Sequence, residues 1–168
     1  SYETATYSPK SETWPNGSHA CEVEIDPGTG EVKVVGYWVV DDVGNMINPV
    51  GVKGQIHGGV AQGLGQALME RVVYDTESGQ LLSGSFMDYA MPRAGDMPHI
   101  TIENNSVPTS SNPMGAKGAG EAGTVGALPA VMNAVNHALA SVGAAAIEMP
   151  ATSERVWKAI RQAETQKA

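Results

Sequence analysis

Residues 20–26 (Ala-Cys-Glu-Val-Glu-Ile-Asp) alternate apolar and acidic positions, the two-residue period of a strand with one buried face. Asp26-Pro27-Gly28-Thr29-Gly30 is a turn signal, and residues 32–40, rich in Val, Tyr and Trp, read as the partner strand of a hairpin. A second hairpin is predicted from residues 71–75 and 80–87 around Glu77-Ser78-Gly79, and a further alternating strand over 99–104. Between the hairpins, Ile56, Val60, Leu64 and Leu68 recur at helical spacing, with Ala61 and Ala67 beside them. Gly54, Gly58, Gly59, Gly63 and Gly65 lie in that same segment. Each internal glycine costs a helix about 0.8–1 kcal/mol relative to alanine. Such a helix must be held by tertiary packing or must let something approach its backbone. Residues 105–126 show no period and read as a long irregular stretch. A helix is predicted to start at Pro129, which suits the first helical position, and to run to about Val142 before Gly143. Its apolar face is Val131, Val135, Leu139 and Val142, with Met132 beside it. A last helix after Pro150 is capped by Thr152 or Ser153 and turns Val156, Trp157 and Ile160 inward. Strands come mostly first and helices last. The predicted class is therefore α+β: antiparallel hairpins and strands packed with a Gly-rich helix and two C-terminal helices, in one piece over residues 1–168.

Composition sharpens this picture at one point. The chain has 168 residues with 20 Gly and 10 Pro, yet 42% are apolar and only 17% charged, so it is no disordered polar tail. The glycines follow no three-residue period, which excludes collagen. With 5% aromatics, the core must come from Val, Ala, Leu, Ile and Met. The net charge of −8, with no basic run, argues against a nucleic acid or an acidic membrane as partner. No apolar stretch approaches the roughly 18 residues of a membrane span. Cys21 is the single cysteine, which fits a reducing, cytoplasmic setting. The start Ser1-Tyr2-Glu3-Thr4 resembles neither a signal peptide nor a natural initiation, so the chain is expected to be a processed protein or, the weightier reading, a piece of a longer one.

The most unusual local sequence is Gly115-Ala116-Lys117-Gly118-Ala119-Gly120-Glu121-Ala122-Gly123. Small residues around a lone carboxylate let a ligand approach the backbone, and a buried Glu121 could serve as a general base. Lys117 could oppose that shift or bind an anion. Taken alone, the residues favour a solvent-exposed loop over a site. Gly118 to Gly123 also matches GxGxxG, but a turn at Asn112-Pro113-Met114 precedes it instead of the strand a dinucleotide fold needs. No Ser or Thr follows Lys117, which removes a phosphate-binding P-loop. His19, His57, His99 and His137 are scattered, so no metal bound by protein side chains is expected. No nucleophile motif surrounds Cys21. Gln55 offers an amide that could meet a pterin edge, an oxo group or a phosphate; its spacing fits a surface or capping residue equally well.

Four segments in order carry a resemblance. They are Asp41-Asp42-Val43-Gly44-Asn45-Met46-Ile47-Asn48-Pro49, the run from Gly54-Gln55-Ile56-His57-Gly58-Gly59 to Glu70, Asp88-Tyr89-Ala90-Met91-Pro92, and Asn112-Pro113-Met114-Gly115 through Gly123. From about Gly17 to Ile160 the chain resembles the C-terminal part of the molybdopterin-binding subunit of the xanthine dehydrogenase, aldehyde oxidase and carbon monoxide dehydrogenase family. The resemblance implies a molybdopterin cofactor, its cytosine dinucleotide form included, and hydroxylation of an aldehyde or N-heterocycle with oxygen from water. It implies Glu121 as general base and Gln55 as the cofactor-contacting amide. Gly58 and Gly59 fall in the same cofactor-binding motif, and Gly115, Lys117 and Gly118 match the loop beside the molybdenum centre. The implied partners are the N-terminal part of the same subunit, iron–sulfur and FAD domains or subunits, and a small-molecule substrate. On that reading the isolated fragment is inactive. The competing reading is a non-catalytic α+β binding or assembly module that keeps the fold.

Overall fold

A computed structural model describes residues 1–9 and 11–167. The predicted hairpin forms from β1 (Asn16–Ile25) and β2 (Val32–Asp42), paired antiparallel. The register slips between Glu22 and Val23, which face Gly36 and Val34, so Val35 is the extra residue of a β-bulge. The turn between the strands is closed by the Gly30 N–H donating to the Asp26 carbonyl at 2.7 Å. β3 (Ile100–Asn104) lies on the other side of β2 and runs parallel to it, Tyr37 opposite Ile100. The sheet is therefore mixed, with β2 central, not wholly antiparallel as the pattern of short strands suggested. A parallel neighbour needs a long return path, and α1 with the segment after it provides one.

α1 (Pro49–Leu68) starts ahead of the Gly-rich run, because Asn48 caps it: its side-chain oxygen accepts the Gly51 N–H at 3.0 Å, and Pro49 sits in the first turn. α2 (Ala122–Ser141) likewise begins well before the predicted start and carries Pro129 inside the helix. Proline forfeits a helical hydrogen bond there and crowds the preceding turn. The first turns of α2 form nevertheless, because they are clamped against α1. A Cβ on Gly59 would come 2.7 Å from the Thr124 nitrogen, one on Gly63 2.5 Å from the Ala127 Cβ, and one on Gly123 2.6 Å from the Ile56 oxygen. The Thr124 hydroxyl donates to the Gly59 carbonyl at 3.1 Å across this crossing. α3 (Ser153–Lys167) starts as expected, with Thr152 in the cap position; its carbonyl accepts from Val156 at 3.0 Å, while its hydroxyl has no partner among the described residues.

One core joins these elements. Tyr37, Val39 and Ile100 from the sheet meet Ile56, Val60 and Leu64 of α1, Val131, Val135 and Leu139 of α2, and Val156 and Ile160 of α3. Each such aliphatic side chain contributes about 1.5–3 kcal/mol on full burial. Trp157, expected inward, is partly exposed, with the Arg161 guanidinium 5.5 Å from its ring. The predicted second hairpin contracts to a single bridge between Tyr74 and Leu81. Its loop closes as expected, Asp75 accepting from Ser78, but most apolar side chains of this arm have nothing to pack against, and Phe86 and Met87 stand exposed.

Candidate functional site

The irregular stretch before α2 is held in place by one buried carboxylate. Asp42, at the end of β2, accepts the Gly44 N–H at 2.9 Å and the Val107 N–H at 3.0 Å on one oxygen. Its other oxygen accepts the Lys117 ammonium at 2.6 Å. The hydrogen bond from Lys117, then those from the Val107 and Gly44 amides, holds the Asp42 carboxyl well below the usual carboxylate range. Backbone bonds complete the tie: the Lys117 N–H donates to the Val43 carbonyl at 2.9 Å, and the Asn45 N–H to the Gly115 carbonyl at 3.0 Å. Gly115 itself adopts a left-handed φ of 64°, and a Cβ there would strike Asn45 and Pro108. Lys117 and Gly115 thus shape the loop, and the Lys117 charge is taken by Asp42. Sequence reasoning missed this role of Asp42.

The loop leaves a cleft on each side. One, of about 490 Å³, is bordered by Gly118, Ala119, Gly120 and Glu121, by Val125 and Gly126 of α2, and by the Thr13–Gly17 segment, with His19 and Asp41 also in its lining. The other, of about 290 Å³, is bordered by Gln55 and Gly51 of α1 and by Ala116 and Lys117. Ala119 borders both. Glu121 and Gln55, expected to face one ligand, therefore stand in adjoining clefts separated by this loop. Glu121 occupies the N-cap position of α2, exposed and, among the described residues, without a hydrogen bond to its carboxylate. The burial imagined for a general base is not built from the described residues. The Gln55 amide is also exposed and has no partner among the described residues.

The expected cofactor glycines divide. Gly58 and Gly118, like Gly54 and Gly120, are open: a Cβ would meet nothing within 4 Å, and none has a positive φ. Gly59 and Gly115 instead face other parts of this chain. His57 lies exposed, its Nδ1 2.8 Å from the Lys53 carbonyl of its own helix. Burial raises the Cys21 thiol to about 11, which leaves it a poor nucleophile.

A second feature missed in the sequence lies at the base of the larger cleft. His19 Nδ1 is 2.8 Å from the Tyr37 hydroxyl, and its Nε2 is 3.4 Å from one Asp41 oxygen. Burial, then Cys21 and the Asp41 charge, pushes the Tyr37 hydroxyl far up, so it stays protonated. The strand register could have revealed the cluster: Gly17 pairs with Asp41, His19 with Val39 and Cys21 with Tyr37, which puts all three polar groups on one face.

A family model described as the molybdopterin cofactor-binding domain matches residues 1–98. The chain belongs to this family. Its relatives extend the likeness through the Glu121 loop and α2. It is 40% identical to the carbon monoxide dehydrogenase large chain of Hydrogenophaga pseudoflava over 156 residues, 93% of this chain and 19% of that one. It is 45% identical to the nicotine 6-hydroxylase large subunit of Paenarthrobacter nicotinovorans over 146 residues, 87% of this chain and 18% of that one. Among solved structures, quinoline 2-oxidoreductase from Pseudomonas putida 86 superposes with a TM-score of 0.89 at 43% identity, covering 94% of this chain and 20% of that one. The chain thus spans about a fifth of the length of these relatives.

The residues present fit a molybdopterin. Among the described residues no three His, Cys, Asp or Glu side chains gather as a metal-ligand set. The Gln55 amide and the loop backbone at Gly118 and Gly120 are open to a bulky anionic group, and Gly54 and Gly58 leave the exposed side of α1 without side chains. No helix among the described residues is long and apolar enough to cross a membrane.

Proposed function

We propose that this chain is the C-terminal part of the molybdenum-binding subunit of a cytoplasmic molybdenum hydroxylase, an oxidoreductase that hydroxylates an aldehyde or N-heterocycle with oxygen from water. The observation that carries the reading is the Glu121 carboxylate, without a partner among the described residues at the edge of a cleft whose adjoining loop is cleared of side chains at Gly118 and Gly120. When bound, the molybdopterin, in its mono- or cytosine dinucleotide form, supplies the two-electron redox chemistry. A Glu121 carboxylate oxygen takes the proton from the water-derived nucleophile as it attacks the substrate carbon. The Gln55 amide and the loop backbone at Gly118 hold the cofactor, and Gly58 leaves it room to lie against α1. Lys117 and Gly115 set the loop, and Gly59 contributes through the helix crossing. The rest of the subunit closes the cleft over Glu121 and shields it from water, which brings the carboxylate nearer the range a general base needs. Iron–sulfur and FAD domains or subunits carry the electrons away.

The test is Glu121→Gln in the full-length protein, which keeps the shape and removes the base. Turnover should fall by about two orders of magnitude or more, with molybdenum content unchanged. Undiminished turnover in a fully loaded variant would remove Glu121 from this role. Absence of turnover and of bound molybdopterin in the wild-type protein would favour a non-catalytic module.

A further inference from the structure

The arm over residues 71–92 is built the wrong way round for a solvated loop. Many of its polar groups bond within it. The Val73 N–H donates to the Ser83 hydroxyl at 2.9 Å, the Leu82 N–H to the Val73 carbonyl at 2.8 Å, and the Asp75 N–H to the Gln80 carbonyl at 2.8 Å. The tip is a tight turn: the Asp88 and Tyr89 amides both donate to the Ser85 carbonyl, and the Ser85 hydroxyl donates to the Asp88 carboxylate at 2.9 Å. At the root, the Tyr89 hydroxyl donates to Glu70 at 2.7 Å, and a Cβ on Gly65 of α1 would fall 2.8 Å from the Pro92 ring. The arm is thus fixed to the end of α1 and holds its own shape. What it turns outward is apolar. Phe86 is 82% exposed and Met87 92%, with Val72, Tyr74 and Leu82 of the same arm more than half exposed. Loop tips that stay in water carry small or polar side chains, and a fixed apolar patch marks a contact surface. The exposed side chains of β2 are less bare: Val35, Trp38 and Val40 are each more than half covered, and the Trp38 ring lies over Gly36, whose Cβ would fall 2.3 Å from it.

We propose that this arm is a docking surface for the part of the same subunit that precedes this chain, with Phe86 and Met87 as its apolar anchors. The inference rests on the reading of this chain as the C-terminal piece of a longer subunit. The relatives it matches are about five times its length, so about four fifths of such a subunit lies outside the described residues. A larger body buries a larger share of its surface, and the arm supplies apolar surface to bury. Covalent linkage decides which body covers it. The remainder of the same chain is held at an effective concentration on the order of millimolar, so it meets the arm ahead of a second copy or another subunit. The face that receives the arm is apolar, since Phe and Met belong to the dry centre of an interface. Neither cleft beside the Glu121 loop is bordered by a residue of the arm, so this contact is separate from the closure over Glu121.

The test is photo-crosslinking in the full-length protein, with p-benzoylphenylalanine in place of Phe86. Irradiation should join that side chain to a peptide that precedes Ser1, in a product that runs as a single chain on a denaturing gel. This product should exceed any joining two chains by about tenfold or more. Where the variant does not fold, photo-methionine at Met87, nearly isosteric with methionine, makes the same measurement on an otherwise unchanged protein. A crosslink chiefly to a second copy, a crosslink chiefly to a different subunit, or no crosslink from either side chain would each overturn the proposal. None of these measurements reads turnover, so failure of Glu121 as a base would leave them standing. A native protein with the mass of this chain alone would overturn both the longer subunit and the docking surface, whereas crosslinks to another chain from a full-length subunit would overturn the docking surface only.

Discussion

Two sets of glycines in this chain do opposite jobs. At the crossing of α1 and α2, Gly59, Gly63 and Gly123 are bare because the facing helix occupies the place of a side chain, with its backbone at Gly59 and Gly123 and with the Ala127 Cβ at Gly63. On the exposed side of α1 and in the loop before α2, Gly54, Gly58, Gly118 and Gly120 are bare with none of the described residues in front of them. The first set repays its cost in helix propensity by bringing two helices into contact. The second set makes no such contact among the described residues, in keeping with the proposal that a ligand from outside meets it. Composition cannot separate them, since both are small residues within the same two segments.

The sharpest way to break the comparison is to add a side chain at the crossing. Gly123→Val would drive carbon atoms into the Ile56 carbonyl, where even a Cβ falls 2.6 Å away. Overpacking of this kind costs about 1–3 kcal/mol, and here the opposing atom is backbone that cannot step aside. A drop of that size or more in urea-unfolding stability is expected, and an unchanged midpoint would mean the helices do not cross as described.

A smaller effect concerns the tie that holds the open loop. The Asp42 carboxyl is held well below its ordinary value by Lys117 and two amides, whereas in the unfolded chain it titrates near about 3.9. Its contribution to stability is therefore complete above that unfolded value and is lost as pH falls towards the depressed folded one. Unfolding midpoints measured from about pH 5 down to pH 2 should fall less steeply for Asp42→Asn than for the wild type. Parallel pH profiles would show that the Asp42–Lys117 pair does not anchor the loop.

The smallest effect has the opposite sign. Gly58→Ala meets open space, so the fold should gain about 0.5–1 kcal/mol from better helix propensity. On the proposed function the same variant should retain less molybdopterin in the full-length protein, which cofactor extraction would measure. A variant that is more stable and equally loaded would leave the open glycines on α1 without a ligand to explain them.

Legibility followed the range of the interactions. The β1–β2 hairpin was readable because alternation and a Pro-Gly turn are local signals. α3 was readable from its cap position and apolar spacing. The start of α2 was not, because Gly123 and Gly126 weaken helix locally and only contact with α1 and the His19 ring secures those turns. The arm over residues 71–92 read as a hairpin from its residue types, yet without a surface to pack on it pairs at one bridge alone. At the site, the order of motifs pointed to Glu121 and Gln55, while the pairing of Lys117 with Asp42 joins residues 75 apart and left no local trace.

By itself, the sequence determined the α+β class, the elements with strong short-range patterns, the family and the two small-residue segments that hold the candidate site. Tertiary structure decided which glycines pack and which stand open, that Lys117 is committed to Asp42, and that Glu121 and Gln55 lie in separate clefts. The physical reason is that propensity and period act over a few residues, whereas close approach, charge pairing and hydrogen-bond satisfaction depend on groups brought together only by the folded chain.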